Sequence, residues 1–198
     1  MSQVEMLTDF GPLAIMAAAL VWGFGRILYL KLVQNVAVLS LLSARKTRAE
    51  YGLGIIAFLS NIYILLRPFL PVLDRWVERQ ISPAPYLALG VMAFSIVLMI
   101  FCQIGMGKSW RIGVPQAAEE GQSLVAHGPY KHSRNPIYVA ILLYLAGIVL
   151  LLPGPFTLAV LLGTFLLLRP VIRREEAFME ATYGEEYRQY KQRVRRWI

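Results

Sequence analysis

Charge is scarce in this sequence: 16% of its 198 residues are Asp, Glu, Lys or Arg, against roughly 25% in an ordinary soluble domain. With 57% of the residues hydrophobic, that scarcity excludes a soluble globular protein. Cysteine is nearly absent too. The single Cys102 lies inside an apolar segment, which rules out an intramolecular disulfide and a metal site built on thiolates. The N-terminus lacks the basic region and small-residue cleavage site of a secretory leader and carries Glu5 and Asp9 instead, so its apolar run reads as a first span. No internal repeat or low-complexity tract stands out.

What the chain does have is long apolar runs. A spanning helix needs roughly 18 or more apolar residues, so this length suffices for about five spans and little else. The expected fold is an all-α integral membrane protein, a single membrane domain over 1–198. Its first three spans fall within 1–106, and a loop, two further spans and a charged helical tail fall within 107–198. Hydropathy places the spans at about 12–32, 51–66, 86–106, 136–152 and 156–168, with 33–44 continuing the first helix near the interface. The turn after Ser43 is short enough to force an antiparallel pair, and Pro153, Gly154 and Pro155 leave room only for a tight hairpin. Gly184 is expected to separate the tail into a pair of helical pieces.

A formal charge of +8 raises the question of nucleic acid, but the basic residues cluster at the ends of apolar segments and in the tail. Lipid headgroups and the positive-inside rule account for them there, and no nucleic-acid recognition motif accompanies them. With five spans, the 45–50 turn, the 107–134 loop and the tail share one side and hold three, four and eight lysines and arginines. The other side holds Arg75 and Arg79. This asymmetry predicts an outside N-terminus, with the long loop and the tail in the cytoplasm.

Chemistry is therefore expected where those two cytoplasmic segments meet. The stretch QSLVAHGPYKHSRNPIY, 122–138, is dense in polar and aromatic groups just before a span, and the tail opens with RPVIRREEAF, 169–178. Arg169, Arg173 and Glu176 recur at i, i+4 and i+7 on one helix face, with Glu175 beside them. Such groups beside lipid suit a charged cofactor and an amphiphilic substrate. Each also has a plain explanation: arginines after a span anchor it, Glu–Arg pairs at helical spacing add little, and Trp110, Tyr130 and Tyr138 fit an interfacial aromatic belt. His127 and His132 have no evident third partner, so no metal is expected.

The string GPYKHSRNPIYVA, followed some forty residues later by EEAFMEATYGEEYRQYKQRV, resembles the paired signature of the isoprenylcysteine carboxyl methyltransferase family and its phospholipid N-methyltransferase relatives. The resemblance runs from Gln122 to the end of the chain; the first three spans carry no signature. It implies a membrane methyltransferase that uses S-adenosylmethionine and releases S-adenosylhomocysteine. It further implies that Gln122, Ser123, Leu124 and Val125 line the cofactor with Tyr130 close by, that Asn135, Pro136, Ile137 and Tyr138 open the helix against which it lies, and that Glu175 contacts it from the tail. Asn135 replaces the family's usual histidine, as in the phospholipid enzymes, and cannot titrate. The arginine that touches the prenylated substrate aligns with Val171, leaving Arg169 or Arg173 as displaced candidates.

The expected acceptor is a lipid or another lipophilic small molecule. A carboxylate head would call for Arg169, Arg173 or Arg134 as a clamp, and an amine head for Glu176 as a base. The alternative is a non-catalytic membrane scaffold or a transporter subunit. The paucity of charge within spans weighs against transport.

Overall fold

The computed structural model describes residues 3–34, 46–77, 80, 82–110 and 123–198. Gln122, Arg45, Arg79, nearly all of the interfacial continuation proposed for 33–44 and much of the long polar loop lie outside the described residues. Those described are helical or irregular, in the order α1 (Gln3–Leu32), α2 (Arg48–Leu66), the short α3 (Val72–Trp76), α4 (Pro85–Met106), α5 (Pro136–Leu151) and α6 (Pro155–Arg193).

Local chemistry sets the helix starts. Ahead of α2, Thr47 and Glu50 form a reciprocal capping box: Thr47 Oγ1 accepts from the Glu50 amide, and the Glu50 carboxylate accepts from the Thr47 amide at 2.6 Å. Helices α4, α5 and α6 each open on a proline, whose missing N–H has no partner to lose in a first turn.

Four helices, α1, α2, α4 and α6, are long and apolar enough to cross a membrane, and α5 is apolar but shorter. Its 16 residues rise about 24 Å, less than the roughly 30 Å hydrocarbon core. The hairpin at 153–154 is as tight as expected. In its second arm the last span runs on without interruption into the tail as far as Tyr183, and the tail divides at Gly184 as expected. Residues 169–183 are mostly good helix formers, and Pro170 does not end the helix. The break comes at Gly184, whose φ of 53° and ψ of −119° are not helical.

Helix ends pair across the bundle. At one end Arg67, buried, bonds Asp9 at 2.8 Å and Asp74 at 2.9 Å, and the Gln80 amide donates to Pro153 O. At the other, Arg26 of α1 reaches the carbonyls of Gln103 and Gly107 at the end of α4, and Arg174 bonds Glu50 at 3.0 Å. The main apolar core lies toward the first end, with Tyr63, Met92, Ile148, Leu151 and Val160 among its members. Of the helix pairs, α4 and α5 make the most extensive contact. A Cβ at Gly147 would stand 2.6 Å from Met92 Cγ and 3.1 Å from the Ala88 carbonyl, so glycine sets how closely these helices approach. At the opposite end the same helices leave a cavity.

Candidate functional site

The cavity has a volume of about 390 Å³, within the usual range for small-molecule sites. One face of α4 contributes Met99, Gln103 and Met106, spaced i, i+4 and i+7. The first turns of α5 contribute Ile137, Tyr138 and Ile141, and Ser123, Leu124, Val125 and Tyr130 come from the chain before them. Helix α6 closes the remaining side with Glu175, Glu176, Phe178, Met179 and Tyr183, and beyond the Gly184 break with Tyr187 and Tyr190.

The two carboxylates differ sharply. Glu176 is buried, and its Oε1 accepts from Arg134 Nη2 at 2.8 Å and from Arg196 Nε at 3.0 Å, while Oε2 accepts from Arg196 Nη2 at 2.6 Å. Burial alone would raise its pKa, but the Arg196 and Arg134 hydrogen bonds, reinforced by their charges, hold it below the ordinary carboxylate value. Glu175 has no such clamp among the described residues. Burial pushes its pKa up to about 7, against a hydrogen bond from the Tyr138 hydroxyl that lowers it, with Glu50 and Glu176 adding repulsion.

The last residues of the chain hold this arrangement in place. The Arg134 amide donates to Arg195 O at 2.9 Å, and Asn135 Nδ2 and Ser133 Oγ donate to Arg196 O. Tyr190 Oη donates to Tyr130 O at 2.7 Å, and Trp197 lies against Phe165 with ring centroids 5.9 Å apart. All three arms of Arg134 are engaged, since Nη1 donates to the carbonyls of Lys191 and Val194. In the first turn of α5 the Tyr138 and Val139 amides both turn back to Asn135 O. That turn therefore offers an anion its dipole more than free N–H groups.

A profile of the phospholipid methyltransferase family, PEMT, matches residues 84–186, just over half of the chain. The chain belongs to that family. Membership makes it a membrane methyltransferase, and the matched span covers α4, α5 and most of α6, the three helices that wall the cavity. Among relatives, the chain is 26% identical over 144 residues to a probable protein-S-isoprenylcysteine O-methyltransferase of Oryza sativa subsp. indica, covering 69% of this chain and 75% of that one. It is 30% identical over 122 residues to the cobalt-zinc-cadmium resistance protein CzcN of Cupriavidus metallidurans, covering 61% of this chain and 52% of that one. The solved structure of a eukaryotic intramembrane Ras methyltransferase, isoprenylcysteine carboxyl methyltransferase, superposes with a TM-score of 0.67 at 22% identity. It covers 98% of this chain, which spans 66% of the length of that one. At that identity the likeness is one of fold.

Of the residues singled out from the sequence, Ser123, Leu124, Val125, Tyr130, Asn135, Ile137, Tyr138, Glu175 and Glu176 all line this one cavity of the methyltransferase fold. Pro136 is buried as the first residue of α5 and is not among the wall residues. Arg169 and Arg173 are exposed and outside the cavity. They share a helix face with Glu176, but only at the level of Glu176 do the 133–135 segment and the chain's end pack over that face. Sequence reasoning missed the α4 wall, whose Met99, Gln103 and Met106 look like ordinary lipid-facing residues in a hydropathy profile. The Tyr183, Tyr187, Tyr190 spacing was a usable signal for the tail wall.

Proposed function

We propose that this protein transfers the methyl group of S-adenosylmethionine to a membrane-partitioned acceptor with a small nucleophilic headgroup, at the cavity between α4, α5 and α6. The observation that carries the reading is Glu175. It is a carboxylate with no arginine or lysine partner among the described residues, hydrogen-bonded to Tyr138 in a cavity whose α4, α5 and α6 walls are largely aromatic and apolar. That donor set fits the cofactor: aromatic rings suit the adenine, and an uncompensated carboxylate suits ribose hydroxyls or a cationic centre. Held by Glu175 and Tyr138, S-adenosylmethionine would supply an electrophilic methyl group on sulfur for the acceptor's nucleophilic atom, with S-adenosylhomocysteine as the leaving group.

The protein's own contribution is positional. Tyr138 holds the Glu175 carboxyl, and the Glu176–Arg134–Arg196 cluster fixes the 130–135 segment and the end of the chain over the site. The apolar α4 and α5 walls exclude water. Glu175, with a pKa near neutrality, is better suited than the clamped Glu176 to take a proton from an amine or hydroxyl acceptor. A carboxylate acceptor is disfavoured, because Arg134 is fully engaged while Arg169 and Arg173 lie outside the cavity. With α4 and α5 in the membrane, a lipophilic acceptor reaches the site from the bilayer.

Calorimetric titration of detergent-solubilised protein with S-adenosylhomocysteine tests the reading. Wild type should bind, and Glu175→Ala and Tyr138→Ala should each weaken binding about tenfold or more, the equivalent of roughly 1.4 kcal/mol, without aggregating. Unchanged affinity in both monodisperse variants moves the cofactor elsewhere. No binding by wild type favours a non-catalytic scaffold.

A further inference from the structure

Gln103 is a polar side chain that neither the cofactor residues nor the tail clamp explains. It sits on α4, one turn before the helix ends at Met106, and is buried between Met99 and Met106 on the face that lines the cavity. An isolated amide in a spanning helix is costly unless its groups are bonded. One half of it is. Trp22 of α1 donates its indole N–H to Gln103 Oε1 at 2.7 Å, and Arg26 Nη2 donates to the Gln103 carbonyl at 3.2 Å and to the Gly107 carbonyl at 3.1 Å.

The indole can only donate, so the amide oxygen must face Trp22 and the orientation of the side chain is chemically determined. Its Nε2 then stands on the cavity side, with no protein acceptor among the described residues. The Trp22 indole on α1 thus holds the side-chain amide of α4 by its oxygen, while Arg26 bonds the α4 backbone beside it, and the amide N–H groups are left to the space between the α4 and α5 walls. Of the other α4 and α5 residues there, Met99, Met106, Ile137 and Ile141 offer no hydrogen bonds, and the Tyr138 hydroxyl is engaged with Glu175.

We infer that Gln103 is a specificity determinant for the methyl acceptor, donating from Nε2 to an oxygen next to the atom that is methylated, while the acceptor's apolar body lies along Met99 and Ile141. The ligand class is a lipophile with a hydrogen-bond-accepting ester, phosphoryl or carbonyl oxygen in its headgroup. This rests on the methyl-transfer reading above and extends it from the cofactor end of the cavity to the acceptor end. It also gives α1, which lies outside the family match, a role in selecting substrate.

The test compares wild type, Gln103→Met and Trp22→Phe. Labelled methyl transfer from S-adenosylmethionine is measured into phosphatidylethanolamine vesicles, an N-acetyl-S-prenylcysteine and a long-chain alkylamine that has no oxygen. S-adenosylhomocysteine affinity and melting temperature are measured on the same preparations. Gln103→Met keeps the volume but loses the donor; kcat/KM for whichever oxygen-bearing probe wild type methylates should fall tenfold or more with cofactor affinity unchanged, while the alkylamine rate stays within about twofold. Trp22→Phe keeps the donor and loses only its lock, so its loss should be smaller, about two- to fivefold. Equal losses in the two variants, tracking melting temperature or cofactor affinity, would reduce Gln103 to a packing contact and overturn the inference. So would a Gln103→Met penalty of the same size on the alkylamine. Wild type that binds no S-adenosylhomocysteine, or that binds it and methylates none of the probes, overturns instead the methyl-transfer reading or its acceptor class.

Discussion

Glu175 and Glu176 are neighbours in sequence with opposite electrostatics, and the difference lies in what reaches each of them. Two guanidinium groups converge on Glu176 from residues 42 and 20 positions away, whereas Glu175 meets a neutral phenol and two other carboxylates. The consequence is a pH dependence centred on Glu175. The unfolded chain gives up this proton near the ordinary 4.5, but the folded protein keeps it to about 7. The native state therefore binds more protons between those values. The Glu175 contribution to stability is fully present below 4.5, declines as pH rises, and is lost above about 7. Affinity for the cationic cofactor should run the other way, because only the ionised carboxylate offers charge. The Kd for S-adenosylmethionine should fall as pH rises through about 7 and then level off. Glu175→Gln should flatten that profile, and S-adenosylhomocysteine, without the sulfonium charge, should show a weaker slope. Titration calorimetry across this range at fixed ionic strength checks both, and a wild-type profile as flat as the variant's would remove Glu175 from the cofactor's surroundings.

At the scale of elements, α6 does most to organise the site, because its long arm carries a span and a carboxylate pair and its short arm beyond Gly184 adds an aromatic tail. The helix turns at Gly184, where φ is 53° and ψ is −119°, a region that residues with a Cβ rarely occupy. A Cβ there would meet no neighbour within 4 Å, so the cost of substitution is backbone strain alone. Gly184→Ala should destabilise the tail by about 1–3 kcal/mol. Tyr187 and Tyr190 lie beyond the turn, and Tyr190 is bonded to Tyr130 O, so the variant should lose cofactor affinity while the span itself stays folded. Hydrogen exchange should show faster exchange confined to residues after 184 and to the 130–135 segment. Uniform loss of protection across α4 and α5 would mean that the turn supports the whole bundle rather than the site.

For the whole molecule, the packed core lies toward the 67–84 and 153–154 connections and the cavity opens at the other end, where residues 107–110, 123–135 and the tail gather. The fifteen-to-two distribution of lysine and arginine between the two sides leads us to propose that the cavity end is cytoplasmic. A cysteine at Arg188, exposed on the tail, should then react with an impermeant maleimide only from the cytoplasmic side, and one at exposed Gln80 only from the opposite side. The native Cys102 is buried and should give little background. The reverse pattern would invert the topology and place the cofactor on the wrong side of the membrane for a cytosolic supply.

The sequence by itself determined the helical membrane class, the approximate span positions, the tight 153–154 hairpin and nine of the residues that line the cavity. These rest on local properties: apolar run length, proline and glycine placement, and a motif whose residues lie close along the chain. It could not show that the last span continues as one helix through the charged stretch to Tyr183, since the charge at 169–176 marks where the bilayer ends and does not mark where the helix ends. Nor could it separate Arg169 and Arg173 from Glu176, because helical periodicity fixes a direction and leaves open what covers it. Only tertiary structure brought Arg196 back across the tail to Glu176, and only it placed Trp22 against Gln103, 81 residues away. Contacts of that separation depend on how helices pack against one another, which local chemistry does not encode, and they decide which of two adjacent carboxylates arginines clamp and which way a buried amide faces.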